Sequence, residues 1–200
     1  DINIVFDVRS YGSTTVGGVC GFGYGCEFFQ NIVSGSIDSG NEYTEFLYIG
    51  GLVGYDVNSD MKANIVSSIF NLYAYAYYNI GGICGKKSHG RIEQCIFDGK
   101  IHFAKDQNEV DGYIGGIAGI ADQSNIYGNI VNGDINIVSG DGLYAGGIIG
   151  KVYEVDVLYN VYSGRMSIFH YLEEEGEMFY SSITTEGYYY DDIEYNENYI

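Results

Sequence analysis

The pentapeptide Gly-Gly-x-x-Gly occurs five times in this chain, beginning at Gly17, Gly50, Gly81, Gly115 and Gly146. Fourteen residues after each copy stands the start of a second motif: Asn31, Asn64, Cys95, Asn129 and Asn160. Successive copies lie 33, 31, 34 and 31 residues apart. A spacing held constant within one chain marks a repeated unit, and periods of this size belong to solenoids, propellers and arrays. The repeat therefore constrains architecture before any single residue does.

Aligned, the copies show what each position requires. The glycine pairs Gly17-Gly18, Gly50-Gly51, Gly81-Gly82, Gly115-Gly116 and Gly146-Gly147 follow an apolar residue in every unit and precede two more, as in Leu52-Val53 and Ile148-Ile149. This reads as a short strand with glycine where the backbone turns or another chain approaches. The partner segment is Asn-Ile-Val in three units, Cys95-Ile96-Phe97 in the third and Asn160-Val161-Tyr162 in the last. A small residue follows at Gly35, Ser68, Gly99, Gly133 and Gly164. Beyond it the pattern alternates, which is the mark of a half-buried strand. The inward set is Ile37, Phe70, Ile101, Ile135 and Met166, with Leu72, Phe103, Ile137 and Ile168 two residues on.

Three short strands per unit and no helical period predict an all-β fold: a right-handed parallel β-helix or β-solenoid of about five coils. A propeller blade needs four strands and ~40–50 residues, so the unit is too short for that alternative. The units fall near 16–48, 49–79, 80–113, 114–144 and 145–170, with residues 1–170 as the solenoid and 171–200 as a C-terminal cap or tail. Stacking would bring Asn31, Asn64, Asn129 and Asn160 together as an amide ladder. The opening Asp1-Ile2-Asn3-Ile4-Val5 repeats Asp134-Ile135-Asn136-Ile137-Val138 letter for letter. The chain is thus expected to begin in mid-unit, either after a lost upstream strand or with residues 1–15 as a cap.

Composition fits this reading. Hydrophobic residues make up 46% and charged ones 18%, which excludes disorder of the low-hydrophobicity kind. The absence of proline leaves every backbone donor available to a ladder. No apolar run is long enough to span a membrane. A net charge of −18, from 27 acidic and 9 basic residues, opposes nucleic-acid binding. After Arg165 there is no lysine or arginine, while residues 173–200 carry nine acidic side chains and many tyrosines. An irregular acidic, Tyr-rich cap is expected there, since acidic residues on a solenoid end discourage end-to-end association.

The run Ile49-Gly50-Gly51-Leu52-Val53-Gly54, paired with a downstream Asn-x-x-x-Gly strand, resembles the GLUG repeat of large bacterial surface proteins. The likeness covers roughly residues 16–170, and Gly187-Tyr188-Tyr189-Tyr190-Asp191 is similar to the tyrosine-rich strand that often closes such arrays. Val19, Ile83, Ile117 and Ile148 stand where the namesake leucine would be. The resemblance implies an extracellular, cell-surface protein, adhesin-like or an accessory region of a secreted protease, with a host or cell-surface protein or glycan as partner. It implies no catalytic residue.

The chain offers little conventional chemistry. Cys20 and Cys84 share one repeat position two units apart, beyond disulfide reach if each unit is one coil. They read as buried thiols; Cys95 replaces a ladder asparagine, Cys26 lies in a loop, and no disulfide is expected unless Cys26 meets Cys95. Zinc spacing is missing. The one basic cluster, Lys86-Lys87-Ser88-His89-Gly90-Arg91, is expected to be a solvated loop, with an anion or uronate site as the alternative. His102 and His170 are expected to point outward. Asp56, Asn58 and Asp60 open like a calcium loop but lack the following glycine and the closing glutamate. Asp106, Asn108 and Asp111 form a second weak oxygen cluster. Calcium is the only cofactor these residues suggest. The glycine pairs open no helix, so they are not a dinucleotide or phosphate motif.

These residues lead to a non-enzymatic structural or adhesive surface module. A carbohydrate-binding or polysaccharide-degrading β-helix is the alternative, with Tyr48, Tyr73, Tyr75, Tyr77 and Tyr78 as stacking platforms. A filament subunit that self-associates through its solenoid ends is the third.

Overall fold

A computed structural model describes residues 3–10, 14–39, 46–74, 77–105, 112–139, 143–171, 178–181 and 188–190. Every regular element among them is a β-strand. The strands stack in parallel into a β-solenoid of about four turns. No helix long and apolar enough to cross a membrane occurs among the described residues.

Three sheets run along the axis, one for each strand of the unit. The glycine sheet takes Thr14–Gly17, Phe46–Gly50, Tyr77–Gly81, Gly112–Gly115 and Leu143–Gly146 in order. The middle sheet takes Cys20–Tyr24 with Glu27–Phe29, then Val53–Lys62, Cys84–Glu93 and Ala118–Tyr127, then Ile149–Tyr153 with Asp156–Leu158. The long sheet contains Asn3–Ser10, Ile32–Ser39 and Ile65–Ala74, and continues through Lys100–Lys105, Asp134–Ser139 and Met166–Tyr171. Two antiparallel strands break the parallel rule: Met178–Ser181 against Met166–Tyr171, and Tyr188–Tyr190 against Leu143–Gly146. The tyrosine-rich segment thus pairs its backbone with the last glycine strand. The other tail residues lie outside those described.

Register follows the repeat. Ile37, Phe70, Ile101, Ile135 and Met166 occupy one continuous ladder, and Leu72, Phe103, Ile137 and Ile168 the next but one. All nine are buried. Inside, Phe70 meets Phe97 with ring centroids 6.0 Å apart, and Tyr78 meets Phe103 at 4.2 Å. The N-terminal strand departs from its literal repeat: Val8, not Ile2, stands opposite Ile37. That register pairs all residues from Asn3 to Ser10 with Ile32–Ser39, a longer ladder than the identical pentapeptide alone would provide.

The glycine pairs are explained by space, not by backbone dihedrals, since none of them has positive φ. A Cβ at Gly17, Gly50, Gly81 or Gly115 would lie 2.0–2.2 Å from the carbonyl oxygen three residues on. A Cβ at Gly51, Gly82 or Gly116 would lie 2.1–2.5 Å from the carbonyl of the equivalent glycine in the next coil. The turn itself belongs to the ladder, with Gly18, Gly51 and Gly82 donating to Gly51, Gly82 and Gly115 respectively, each at 3.1 Å.

The corners use a different device. Gly25, Asn58, His89, Gln123 and Glu154 have φ between 46° and 60°, and so occupy the left-handed region at one repeat position. Five residues later, Gln30, Ala63, Gln94, Gly128 and Tyr159 do the same, with φ of 52–63°. Each unit therefore bends at two left-handed positions, with Gly90 joining His89 at the first bend of the third unit, and needs neither a proline nor a long loop there.

Gly82→Ala is expected to lower stability in urea unfolding by at least about 1–3 kcal/mol, the range for overpacking a filled interior. Its new methyl would press on the Gly116 carbonyl and the Phe97 ring. Gly128→Asn, at an open left-handed corner, should cost less than about 1 kcal/mol because asparagine tolerates that conformation.

Candidate functional site

Polar side chains inside the stack first serve cohesion. The Asn64 Oδ1 accepts from both the backbone N–H and the Nδ2 of Asn31, at 3.0 and 2.8 Å. Asn160 holds Asn129 in the same way, with both contacts at 2.9 Å. Each Nδ2 then reaches back to a main-chain carbonyl: Asn64 to Phe28, Asn129 to Ile92 and Asn160 to Ile126. The amide thus satisfies a donor and an acceptor that the left-handed corner frees from the strand ladder. Cys95 interrupts the row. Its backbone N–H is held by Asn129 Oδ1 at 2.8 Å, and its thiol accepts from Asn64 Nδ2 at 3.6 Å. Burial pushes this thiol's pKa up, against hydrogen bonds from Asn64 that favour the thiolate.

Asp56, Asn58 and Asp60, the residues that open like a calcium loop, stand in a strand and not in a loop. They lie in the strand Val53–Lys62, with Asn58 at a left-handed bend. The basic cluster is likewise not a solvated loop, because Lys86–Arg91 forms part of the strand Cys84–Glu93. The two strands pair in register, so Lys87 stands on Asp56 and Arg91 on Asp60. Parallel stacking brought opposite charges 31 residues apart into contact. Arg91 Nη2 meets Asp60 Oδ2 at 2.5 Å near the surface, and this hydrogen bond holds the Asp60 carboxyl below the usual carboxylate range. Lys87 and Asp56 are instead fully buried, and Lys87 Nζ contacts both Asp56 Oδ2 and the Ser59 carbonyl. Among the described residues no three His, Cys, Asp or Glu side chains gather as a metal site. Asp106, Asn108 and Asp111 lie outside those residues.

The four cysteines are free, which includes Cys26 and Cys95. Cys20 and Cys84 flank Val53 on one ladder. Cys84 is buried, and burial raises its pKa well above that of an ordinary thiol; Cys20 is only partly covered.

Half-buried rings and lysines gather along the seam between the glycine and middle sheets, around buried Asn79, Tyr113 and Ile120. Tyr48, Asn79, Tyr113 and Tyr144 form one ladder of the glycine sheet. Phe22, Tyr55, Lys86, Ile120 and Lys151 form one ladder of the middle sheet. The two ladders touch: Tyr48 stacks on Tyr55 with centroids 5.4 Å apart and planes at 22°. Tyr113 stacks on Tyr144 at 5.0 Å, and Phe22 meets Tyr55 edge-on at 5.4 Å. Lys151 Nζ lies 4.9, 4.4 and 5.2 Å from the ring centroids of Tyr113, Tyr144 and Tyr153, while Lys86 Nζ lies 5.2 Å from that of Tyr55. Partial burial disfavours the charge on Lys151, but hydrogen bonds to the Tyr153 and Tyr113 hydroxyls outweigh it and hold its pKa above the usual lysine value. Burial, then the neighbouring Tyr113 and Tyr48, pushes the Tyr77 phenol up to about 12.

Of the tyrosines singled out from the sequence, Tyr48 and Tyr77 belong to this stripe and Tyr78 is core. Tyr73 lines a shallow groove of about 480 Å3 on the long sheet, and Tyr75 lies outside the described residues. In that groove Asn71 donates to Asp38 at 2.9 Å, and His102 faces solvent beside Asn136 at 3.4 Å. The side chain of His170 is outside those described. Sequence reasoning missed Tyr55 and Lys151 and read Lys86 only as part of the basic cluster, although the repeat marks all three, since each follows the third glycine of its motif. Comparison with protein-family models, curated proteins and solved structures finds no match to this chain.

Two substitutions separate buried from exposed charge. Asp56→Ala should cost about 3–5 kcal/mol by leaving Lys87 buried without its partner, whereas Asp60→Asn should cost less than about 1 kcal/mol. The Asp60 pKa is depressed on folding. Its small contribution is therefore present above the unfolded carboxyl value of about 3.9 and is lost as pH falls through the lower folded value. Acid titration of stability should show that component in the native chain and not in Asp60→Asn.

Proposed function

We propose that this chain is a non-enzymatic, extracellular repeat module of a bacterial surface protein, structural along its length and adhesive through its aromatic and lysine stripe. The likeness of its glycine pairs and asparagine strand to GLUG repeats supports the compartment and the bacterial setting. The finer architecture belongs to the same reading: five right-handed coils, as crossover connections almost always are right-handed, with residues 171–200 as an acidic cap. The axial hydrogen bonds at the glycine turns and at Asn31–Asn64 and Asn129–Asn160 suit a stiff spacer.

The observation that carries the adhesive part is the placement of Lys151 among Tyr113, Tyr144 and Tyr153. Aromatic faces accept the C–H surface of a sugar ring, and an ammonium beside them accepts a carboxylate or sulfate. On a molecule of net charge −18, such a cationic spot favours an anionic glycan locally rather than by long-range attraction. Asp38 and His102 on the open groove of the long sheet favour a second reading, a polysaccharide-degrading β-helix.

Binding to immobilised polygalacturonate, with neutral cello-oligosaccharide as comparison, tests both. The adhesive reading expects retention of polygalacturonate that falls at least tenfold in Lys151→Ala, with an unfolding midpoint close to that of the native chain. Equal binding by native and Lys151→Ala protein would remove the stripe from the ligand. Time-dependent shortening of the polymer that is lost in His102→Ala would establish the enzymatic reading instead.

A further inference from the structure

Following the middle sheet across its coils, one ladder reads Gly23, Asp56, Lys87, Ala121 and Val152. The three other ion pairs among the described residues are solvated, but this ladder places a carboxylate directly on a primary amine with both side chains fully covered. Lys62 and Glu93 stand 3.9 Å apart with the lysine half exposed, and Arg91 offers only a guanidinium, which is a poor acyl acceptor. We propose that Lys87 and Asp56 join as an intramolecular isopeptide bond, Nζ to Cγ, which ties two successive coils together covalently.

The surroundings suit that step. Lys87 Nζ is confined between two acceptors, Asp56 Oδ2 and the Ser59 carbonyl. The Ser59 backbone N–H donates to the same Oδ2 at 3.3 Å, which fixes the plane of the carboxyl group. Ser59 is itself held, since its Oγ accepts from the Cys26 N–H at 2.9 Å. Asp56 Oδ1 is buried and has no hydrogen-bond partner among the described residues. Glycine at 23 and 90 leaves the pair its room: a Cβ would lie 2.6 Å from Asp56 Oδ1 at the first position and 3.1 Å from Lys87 Nζ at the second.

The reaction balances without an outside reagent. The ammonium passes a proton to Oδ2 across the existing contact, and the freed lone pair on Nζ attacks Cγ. A second proton moves from nitrogen to Oδ2, the Cγ–Oδ2 bond breaks, and one water leaves. Oδ1 remains as the oxygen of a neutral secondary amide. Two charges that the dry interior disfavours are thereby replaced by none. Fixed geometry supplies what free amines and acids in water lack, because well-oriented intramolecular partners reach effective concentrations of the order of 10⁵–10⁸ M. Exclusion of bulk water also slows the reverse hydrolysis.

Intact-mass measurement on the denatured native chain is the test, with the sequence mass as reference. The proposal expects a mass lower by one water and a tryptic species in which 10–62 is joined to 87–91. Lys87→Arg keeps the cation, lacks the amine and should recover the full sequence mass. The full mass in the native chain, with the two peptides separate, would overturn the proposal and leave an ordinary buried ion pair. So would a missing water that persists in Lys87→Arg, or one that maps to a cyclised Asp-Gly peptide.

Discussion

The structure depends on how closely successive coils approach at the glycine turns. Where a Cβ would lie barely 2 Å from a carbonyl oxygen, only glycine allows the backbone of one coil to bond to the next. That contact fixes the axial phase of each unit. Once phase is fixed, every other repeat position falls onto a ladder: isoleucines fill the core, asparagines share amides, and side chains in equivalent places become neighbours. A shift of one residue would turn the whole inward set to solvent. The glycine turns and the alternation of the long sheet therefore enforce the same register by different means, one through steric exclusion and the other through burial.

Much of this was legible in the sequence because a solenoid converts sequence period into spatial adjacency. The core positions Ile37 to Met166, the asparagine row and the three strands of the unit could all be read by aligning the chain with itself. The left-handed corners could not. Gln30, Ala63, Gln94 and Tyr159 adopt positive φ without the glycine or asparagine that usually announces it. Their conformation is imposed by the ladders on either side, and at Gln30, Ala63 and Tyr159 the asparagine that follows stabilises it by capping the freed backbone groups. The N-terminal strand departs from its literal repeat for a related reason: identity between Asp1–Val5 and Asp134–Val138 is a weaker constraint than the number of backbone groups a strand can pair.

The charged residues show where local pattern reading fails. Asp56, Asn58 and Asp60 look like a metal loop when taken as consecutive residues, and Lys86 to Arg91 looks like a solvated turn. In a parallel stack, however, the relevant neighbour of a side chain is the residue one period away. Asp60 and Arg91, or Asp56 and Lys87, are then adjacent by construction. The same rule assembles the aromatic stripe, whose members are scattered over more than a hundred residues of sequence.

Ladder geometry also decides which of these adjacencies carry consequence. On the outer face a lysine such as Lys151 keeps contact with solvent, and neighbouring rings place its charge without removing it from water. Toward the interior the same stacking puts Lys87 and Asp56 where solvation is lost on both sides at once. A unit that repeats perfectly would place like charges on top of one another and could not bury them. The chain tolerates its buried pair because the flanking coils carry Gly23 and Ala121 at that position, so the departure from repetition is confined to one step of the stack. Small residues on both sides supply the space, opposite charges supply the attraction, and the parallel ladder holds the two groups at a separation that neither side chain could choose alone.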